Sequence, residues 1–359
     1  MRAAKRIRQS IEMYRTIFRR YADLDLREVR VRAEAFVAAL DAYDPELVPE
    51  MEGIAEGAGV EPEDVLATNL RTEIMFGSNS SRASSTLSEC TAVCATGLGR
   101  STIAAQNWDW KPAARGTCVI LACAPDHRPG FVTLVEAGLL AKAGVNEAGV
   151  AVVTNALTSD LDRGEPGVPY HAVLRAILTS SSFDDAVRSV CDATRASSAN
   201  YLIASGDGRV ADLEATPGGA DAARSVDGLA GVGLAHANHF LWPTPRPFND
   251  VGRVDGVGTL RRQSRAERLM SGGASSPEDI AAVLRDHAGR PDSICAHRDP
   301  ATDAIDDYVT VASIVIDASD RTMLVTEGTP CEAAFERVDL ASLLADARSG
   351  SLTAASDAG

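Results

Sequence analysis

The chain lacks several things, and each absence excludes a class of function. No apolar run approaches the ~20 residues that a membrane-spanning helix needs. Basic residues are outnumbered, 35 Lys and Arg against 50 Asp and Glu, for a formal charge of −15. That balance argues against nucleic acid and anionic membrane surfaces as partners. The N-terminus (MRAAKRIRQSIEMYRTIFRR) is basic and amphipathic but lacks the apolar h-region of a secretory signal. The seven cysteines form no CxxC pair, which argues against a disulfide framework or a structural zinc site and points to a reducing cytoplasm. Aromatic residues make up 5% of the chain, yet two of its three tryptophans fall within the tetrapeptide Asn107-Trp108-Asp109-Trp110. What is present is 359 residues with 45% hydrophobic and 24% charged content, enough for two average domains or one large layered domain.

Hydrophobic period changes once along the chain. Ile7, Ile11, Tyr14, Phe18 and Tyr21 share one helical face, and further helices are expected at about 28–40, 46–58 and 62–75. Glu61-Pro62-Glu63-Asp64 supplies Pro and acids for the first turn of the last. Residues 76–89 (FGSNSSRASSTLSE) are Ser-rich and unpatterned, as in an exposed loop or a lead-in to a cleavage site. From Cys90 onward, short strands are expected at Thr91–Ala95, Thr102–Gln106, Val119–Ala122, Phe131–Val135 and Gly149–Asn155, with turns at Gly97-Leu98-Gly99 and Asn146–Gly149. A helical block at about 168–193 precedes a hairpin, Asn200–Ala204 with Val210–Glu214. Helices follow at about 259–287, capped at Ser276-Pro277-Glu278-Asp279, and a last hairpin joins Thr310–Ile316 to Thr322–Val325. Strands in two batches with helices between them imply antiparallel sheets packed face to face with helices outside.

The chemistry centres on Glu89-Cys90-Thr91. A lone cysteine in an apolar strand is more often a small core residue than a nucleophile, and the other cysteines read that way, save Cys331, which has no assignable role. Cys90 differs by position, because it opens the β region directly after the Ser-rich stretch. If the bond before it were cut, its α-amine, with an ordinary pKa of ~8, would sit beside its own thiol as a general base. Asn107 and Asp109 flank Trp108 and share a strand face, which is either a surface strand end or a lined pocket. In the pocket reading Asp109 orients the Cys90 amine. Asn238 is a candidate oxyanion donor or a turn cap, and Asn155 has the same two readings. His236 and His239 raise the question of zinc, but a Pro-rich stretch follows them and no third ligand is near, so no metal is expected. A papain-like protease would need a histidine partner for Cys90, with His236, His239 and His297 as candidates.

Seven stretches in order resemble the isopenicillin N acyltransferase (acyl-CoA:6-aminopenicillanate acyltransferase) family of N-terminal-nucleophile hydrolases. They are Glu89-Cys90-Thr91, Gln106–Trp110, Lys142–Asn155, Ser198–Ala204, His236–Leu241, Ser293-Ile294-Cys295 and Gly328–Cys331. The resemblance implies an α+β fold, a four-layer αββα sandwich of antiparallel sheets. It also implies a helical pro-segment over residues 1–89, a catalytic domain over 90–359 and self-cleavage between Glu89 and Cys90. It casts Cys90 as nucleophile, Asp109 as the group holding the freed amine, Asn238 as oxyanion donor and Asn155 as a contributor to the site. Thr91, Asn107, Trp108 and His239 are the expected substrate contacts. The expected substrates are a small-molecule amide or acyl donor and an amine or water acceptor. No cofactor is implied, although acyl-CoA or another acyl thioester would serve as co-substrate. The cut pro-segment is the expected protein partner, and a homo-oligomer is compatible with the family. Glu89 stands where the fungal penicillin enzyme has glycine, and Ala296 where relatives often carry arginine. The competing reading is a relative that keeps the fold as a binding protein without the chemistry.

Overall fold

The computed structural model describes residues 3–77, 90–96, 101–227, 233–242, 247–255, 257–274 and 276–349. Glu89, most of the Ser-rich stretch and the expected turn at Gly97-Leu98-Gly99 lie outside the described residues. Among the described residues, thirteen strands form two antiparallel sheets. One runs in the order β10 (Leu234–His236), β1 (Thr91–Ala95), β2 (Ile103–Trp110), β11 (Val309–Asp317), β12 (Thr322–Glu327) and β13 (Glu336–Asp339). The other runs sequentially through β3 (Cys118–Cys123), β4 (Phe131–Glu136), β5 (Ala143–Asn146), β6 (Val150–Ala156), β7 (Ala199–Ser205), β8 (Val210–Ala215) and β9 (Ala223–Asp227).

The sheets meet face to face, with Ala92, Cys94, Ala104 and Ile314 of the first packed on Val132, Val145, Val153 and Leu202 of the second. Helices Tyr170–Leu178 and Phe183–Cys191 cover the outer face of the seven-stranded sheet, and Val257–Met270 and Pro277–Leu284 cover that of the six-stranded sheet. The architecture is therefore the expected αββα sandwich. Ser276 caps the helix Pro277–Leu284 with a full capping box completed by Asp279, as the sequence signal predicts. The turn before β6 also follows its sequence: Asn146 Oδ1 accepts from Val150 N at 2.9 Å while Gly149 takes φ +77°, a conformation that favours glycine.

The N-terminal helices, Ala4–Ile17 to Arg71–Phe76, are built on the stripe the sequence shows, with Ile7, Ile11 and Tyr14 buried. Their apolar side chains join the same core cluster as Cys90, Trp108 and Tyr201. Polar groups pin them too. Tyr14 Oη donates to Glu136 at 2.7 Å, Leu140 N donates to Asn69 Oδ1 at 2.8 Å, and Glu73 accepts from Tyr170 N at 2.8 Å and Ser197 Oγ at 2.7 Å.

A buried ion pair links the sheets at one edge. His236 Nε2 on β10 lies 2.8 Å from Glu214 Oε1 on β8, both side chains wholly buried. Burial pushes His236 down, but Asp212, Glu214 and the Ala237 carbonyl outweigh it and hold the imidazole up at about 9. A raised histidine pKa stabilises the fold fully below its unfolded value of about 6.5, and that contribution is lost as pH rises through the folded value. Between pH ~6.5 and ~9 the wild type should therefore lose stability relative to His236→Gln, by at most roughly 3 kcal/mol. Denaturant unfolding of the two proteins across that range reads the difference, and a pH-independent gap would refute a charged His236.

Candidate active site

Strand alternation sorts the residues around Cys90. On β1 and β2, Ala92, Cys94 and Ala104 face the opposite sheet. Val93, Ala95, Ile103 and Ala105 face the covering helices. Cys90 and Trp108 belong to the inner set, in the cluster shared with the N-terminal helices, and Cys90 is 1% exposed. Thr91 pairs with Asn107, so position 90 falls opposite Trp108. The antiparallel run then brings the start of β1 to the end of β2, where Asp109 stands.

Asn107 and Asp109 share the outer face, as their spacing predicts. Asp109 Oδ1 accepts from Thr310 Oγ1 at 2.6 Å, and Thr310 Oγ1 in turn accepts from Ala296 N at 3.0 Å. Asn107 is placed differently from the substrate contact expected of it. Its amide donates to the carbonyls of Leu284 and Ile294, both at 2.8 Å, and its oxygen accepts from Ser313 Oγ at 2.5 Å. With those bonds made and its side chain fully buried, Asn107 braces the helical layer against β2.

The asparagines sit where the sheets approach each other. Asn155 Nδ2 at the end of β6 donates to His236 O at 3.1 Å, and Asn238 Nδ2 donates back to Ala156 O at 3.0 Å. Gln106 makes a third stitch, donating to Thr154 O at 2.5 Å and accepting from Thr154 N at 3.1 Å. Asn155 Oδ1 is buried with no hydrogen-bond partner among the described residues, which leaves a carbonyl acceptor in the site.

Three participants were not legible in the sequence. Arg262, from the helix Val257–Met270 and 1% exposed, donates to the Cys90 carbonyl at 3.1 Å and to Asn238 Oδ1 at 3.2 Å, and lies 3.5 Å from Thr91 Oγ1. One guanidinium thus joins the strand that begins with the candidate nucleophile to the candidate oxyanion donor. Lys142 is buried with its ammonium 4.3 Å from the Trp108 ring. Burial pushes it down to about 8, with the Cys90 sulfur pulling it up and Arg71 pushing it down. Arg71 itself opens the helix Arg71–Phe76 and lies 3.5 Å from Glu136. Lys142 does lie within one of the family-like stretches, but nothing in its spacing distinguishes it from a surface lysine.

The histidine candidates disperse. Both ring nitrogens of His236 are taken by Glu214 and the Ala237 carbonyl. His239 is 2% exposed and hydrogen bonds Thr259 Oγ1 at 2.9 Å, and burial pushes it down to about 4. Among the described residues, neither belongs to a group of side chains able to hold a metal ion. His297 Nε2 lies 3.5 Å from Cys295 Sγ and 3.2 Å from Cys331 Sγ, with its Nδ1 facing Glu332. A papain-like pairing therefore finds neither His236 nor His297 with a ring nitrogen to give to Cys90.

Comparison with known proteins points to the family that the sequence resembles. Among solved structures, the fold is similar to penicillin V acylase from Agrobacterium tumefaciens at 16% identity, covering 71% of this chain and 87% of that one, with a TM-score of 0.40. It is also similar to a variant of the conjugated bile acid hydrolase from Clostridium perfringens, at 11% identity over 70% and 93% of the two chains and a TM-score of 0.46. A curated relative, the 40 kDa form of acyl-coenzyme A:6-aminopenicillanic-acid-acyltransferase of Emericella nidulans, is 29% identical over 291 residues, 80% of this chain and 76% of its own. The family model described as acyl-coenzyme A:6-aminopenicillanic acid acyl-transferase matches residues 96–332, and on that match the chain belongs to this acyltransferase family.

Proposed function

We propose that this chain cuts itself before Cys90 and then carries acyl groups on the Cys90 sulfur, moving them from a small-molecule amide or acyl thioester to an amine or to water. The observation that carries the reading is the Arg262 bridge, which holds the Cys90 main chain and the Asn238 side chain in one buried assembly. A core cysteine without chemistry has no need of an asparagine fixed beside its backbone.

In the uncut chain the Cys90 sulfur attacks the Glu89 carbonyl. The Glu89–Cys90 C–N bond breaks as the acyl group moves to sulfur and the nitrogen takes a proton. Water then hydrolyses the thioester, leaving a carboxylate on Glu89 and a free amine and thiol on Cys90. In the mature enzyme the α-amine accepts the thiol proton as sulfur attacks the substrate carbonyl, and returns it to the leaving amine or thiol. Asp109, held through Oδ1 by Thr310, steadies the ammonium form. Asn238 donates one amide hydrogen to Ala156 O and has a second for the oxyanion. The free acceptor Asn155 Oδ1 takes an N–H of the substrate. Attack by an amine or by water on the acyl-Cys90 thioester completes the cycle. No redox or metal step is required.

Cys90 is buried in the uncut chain, so access to the thiol depends on the cut. The N-terminal helices stay docked through Tyr14, Asn69 and Glu73.

Intact-mass analysis should resolve the wild type into chains 1–89 and 90–359, and Cys90→Ala should run as one 37.7 kDa chain. A wild type that stays whole and forms no acyl adduct at Cys90 with activated thioesters would sink the proposal and favour the binding-protein reading. Asn238→Ala should lower kcat about 10²–10³-fold in the cut enzyme, the loss expected for one oxyanion donor. Arg262→Met should lower kcat roughly tenfold or more through misplacement of Asn238, with KM little changed. A rise in KM alone, with kcat unchanged, would assign Arg262 to the substrate instead.

A further inference from the structure

Away from Cys90, three side chains of one short stretch converge with a fourth that lies 34 residues further on. His287 and His297 flank the loop after the helix Pro277–Leu284, Cys295 lies in that loop, and Cys331 follows β12. Among the described residues they form the group able to hold a metal ion, each offering one ligand atom, all within 4.8 Å of one another. Cys295 is buried, the two histidines are half-buried and Cys331 is exposed at the mouth.

The spacing fits a particular ion. With Zn–S bonds of about 2.3 Å and Zn–N bonds of about 2.0–2.1 Å, tetrahedral coordination puts sulfur atoms about 3.8 Å apart, sulfur and nitrogen about 3.5 Å apart, and nitrogens about 3.3 Å apart. Here Cys295 Sγ and Cys331 Sγ are 3.7 Å apart. His297 Nε2 lies 3.5 Å from Cys295 Sγ and 3.2 Å from Cys331 Sγ. The His287 and His297 Nε2 atoms are 3.1 Å apart. A disulfide between the two cysteines needs about 2.05 Å between sulfurs and leaves two imidazole nitrogens turned toward each other without a shared partner. A tetrahedral cation gives all four atoms one.

We propose that His287, Cys295, His297 and Cys331 form a structural Zn²⁺ site. Two thiolates and two imidazoles are the ligand set that selects zinc over hard cations such as Mg²⁺ and Ca²⁺. Binding releases the two thiol protons to solvent and needs no oxidant. Behind the site, His297 Nδ1 lies 3.6 Å from Glu332 Oε1, where a carboxylate can orient a ligating histidine. The loops are already tied at their bases, by Cys295 N to Asp286 O at 2.9 Å and Arg285 Nε to Pro330 O at 2.9 Å.

The site would act on the enzyme through the loop it closes. Ile294 O receives the Asn107 amide, and Ala296 N donates to Thr310 Oγ1, which holds Asp109. Zinc at residues 287, 295, 297 and 331 pins the peptide on both sides of those contacts. These four residues are ligands and positioning groups, and none is asked to touch substrate.

The test uses the full chain purified in a non-thiol reductant without chelator, loaded with zinc and exhaustively dialysed. About one zinc per chain is expected by elemental analysis, and Co²⁺ loading should give visible bands of tetrahedral intensity with thiolate-to-cobalt charge transfer. Cys331→Ser, at the exposed ligand, and His287→Ala should each weaken zinc binding at least roughly tenfold, whereas Cys191→Ser should not. Chelation should lower the thermal midpoint of the wild type and leave that of Cys331→Ser unmoved. Substoichiometric zinc in a folded wild type, an octahedral cobalt spectrum, or equal metal retention by Cys331→Ser would overturn the site. A Cys295–Cys331 disulfide persisting in the reductant would overturn it too. Metal content is read whether or not the chain cuts itself, so the outcome is independent of the acyl-transfer reading.

Discussion

Two sheets close face to face at least cost when the polar groups caught between them are paired, because an unpaired one costs about 1–3 kcal/mol. In this chain the pairing is concentrated at one end of the sandwich. Gln106 bonds the backbone of Thr154 twice, Asn155 reaches the His236 carbonyl, and Asn238 reaches back to that of Ala156. Each stitch runs from one sheet's strands, or the segment just beyond them, to those of the other. The His236–Glu214 pair closes the same edge. These contacts fix how closely β2 and β10 approach β6, and Cys90 stands at the start of the strand between β2 and β10.

That constraint explains why the site draws on so many distant parts of the chain. Polar side chains cluster where the sheets are stitched, since a stitch needs partners and a partner once buried needs its own. Asp109 depends on Thr310, Thr310 on Ala296, and Asn107 on the carbonyls of Leu284 and Ile294. The N-terminal helices are drawn into the same requirement. Glu73 is held by Tyr170 N and Ser197 Oγ, and burial pushes its carboxyl up. Removing the helical segment would strip Glu136 of Tyr14 and the Tyr170 amide of Glu73. A chain cut before Cys90 has strong physical reason to remain one particle.

Much of this was legible in the sequence, for a reason that also marks the limit. Alternation and helical period report which side of an element a residue occupies, so β1 was read with its observed bounds and Asn107 and Asp109 were placed on one face. β2 runs on to Trp110, beyond the expected Gln106, because paired polar residues continue the strand where apolar alternation stops. β5, β9, β10 and β13 escaped because they are short and carry Gly144, Arg224 or Glu336 in place of an apolar repeat. Arg262 escaped differently. It sits among Arg261, Arg265 and Arg268, and period alone does not say which of four helical arginines turns inward. Cys331 and His287 share no local pattern with Cys295 and His297, and only the meeting of two loops unites them.

Arg262 also settles how Asn238 is oriented. An amide's oxygen and nitrogen are told apart by their partners. Arginine donates and never accepts, so the atom facing both Arg262 nitrogens, at 3.4 and 3.2 Å, is the oxygen. The nitrogen must then face the Ala156 carbonyl, as it does at 3.0 Å, and its second hydrogen is directed by the plane of the amide. The family resemblance leads one to expect an arginine at position 296, where this chain has a buried alanine. A guanidinium nevertheless reaches the Cys90 carbonyl, from a helix on the outer layer. An arginine delivered from there fixes the Asn238 amide without occupying the space between the sheets, where Lys142 lies over Trp108 and beside Cys90.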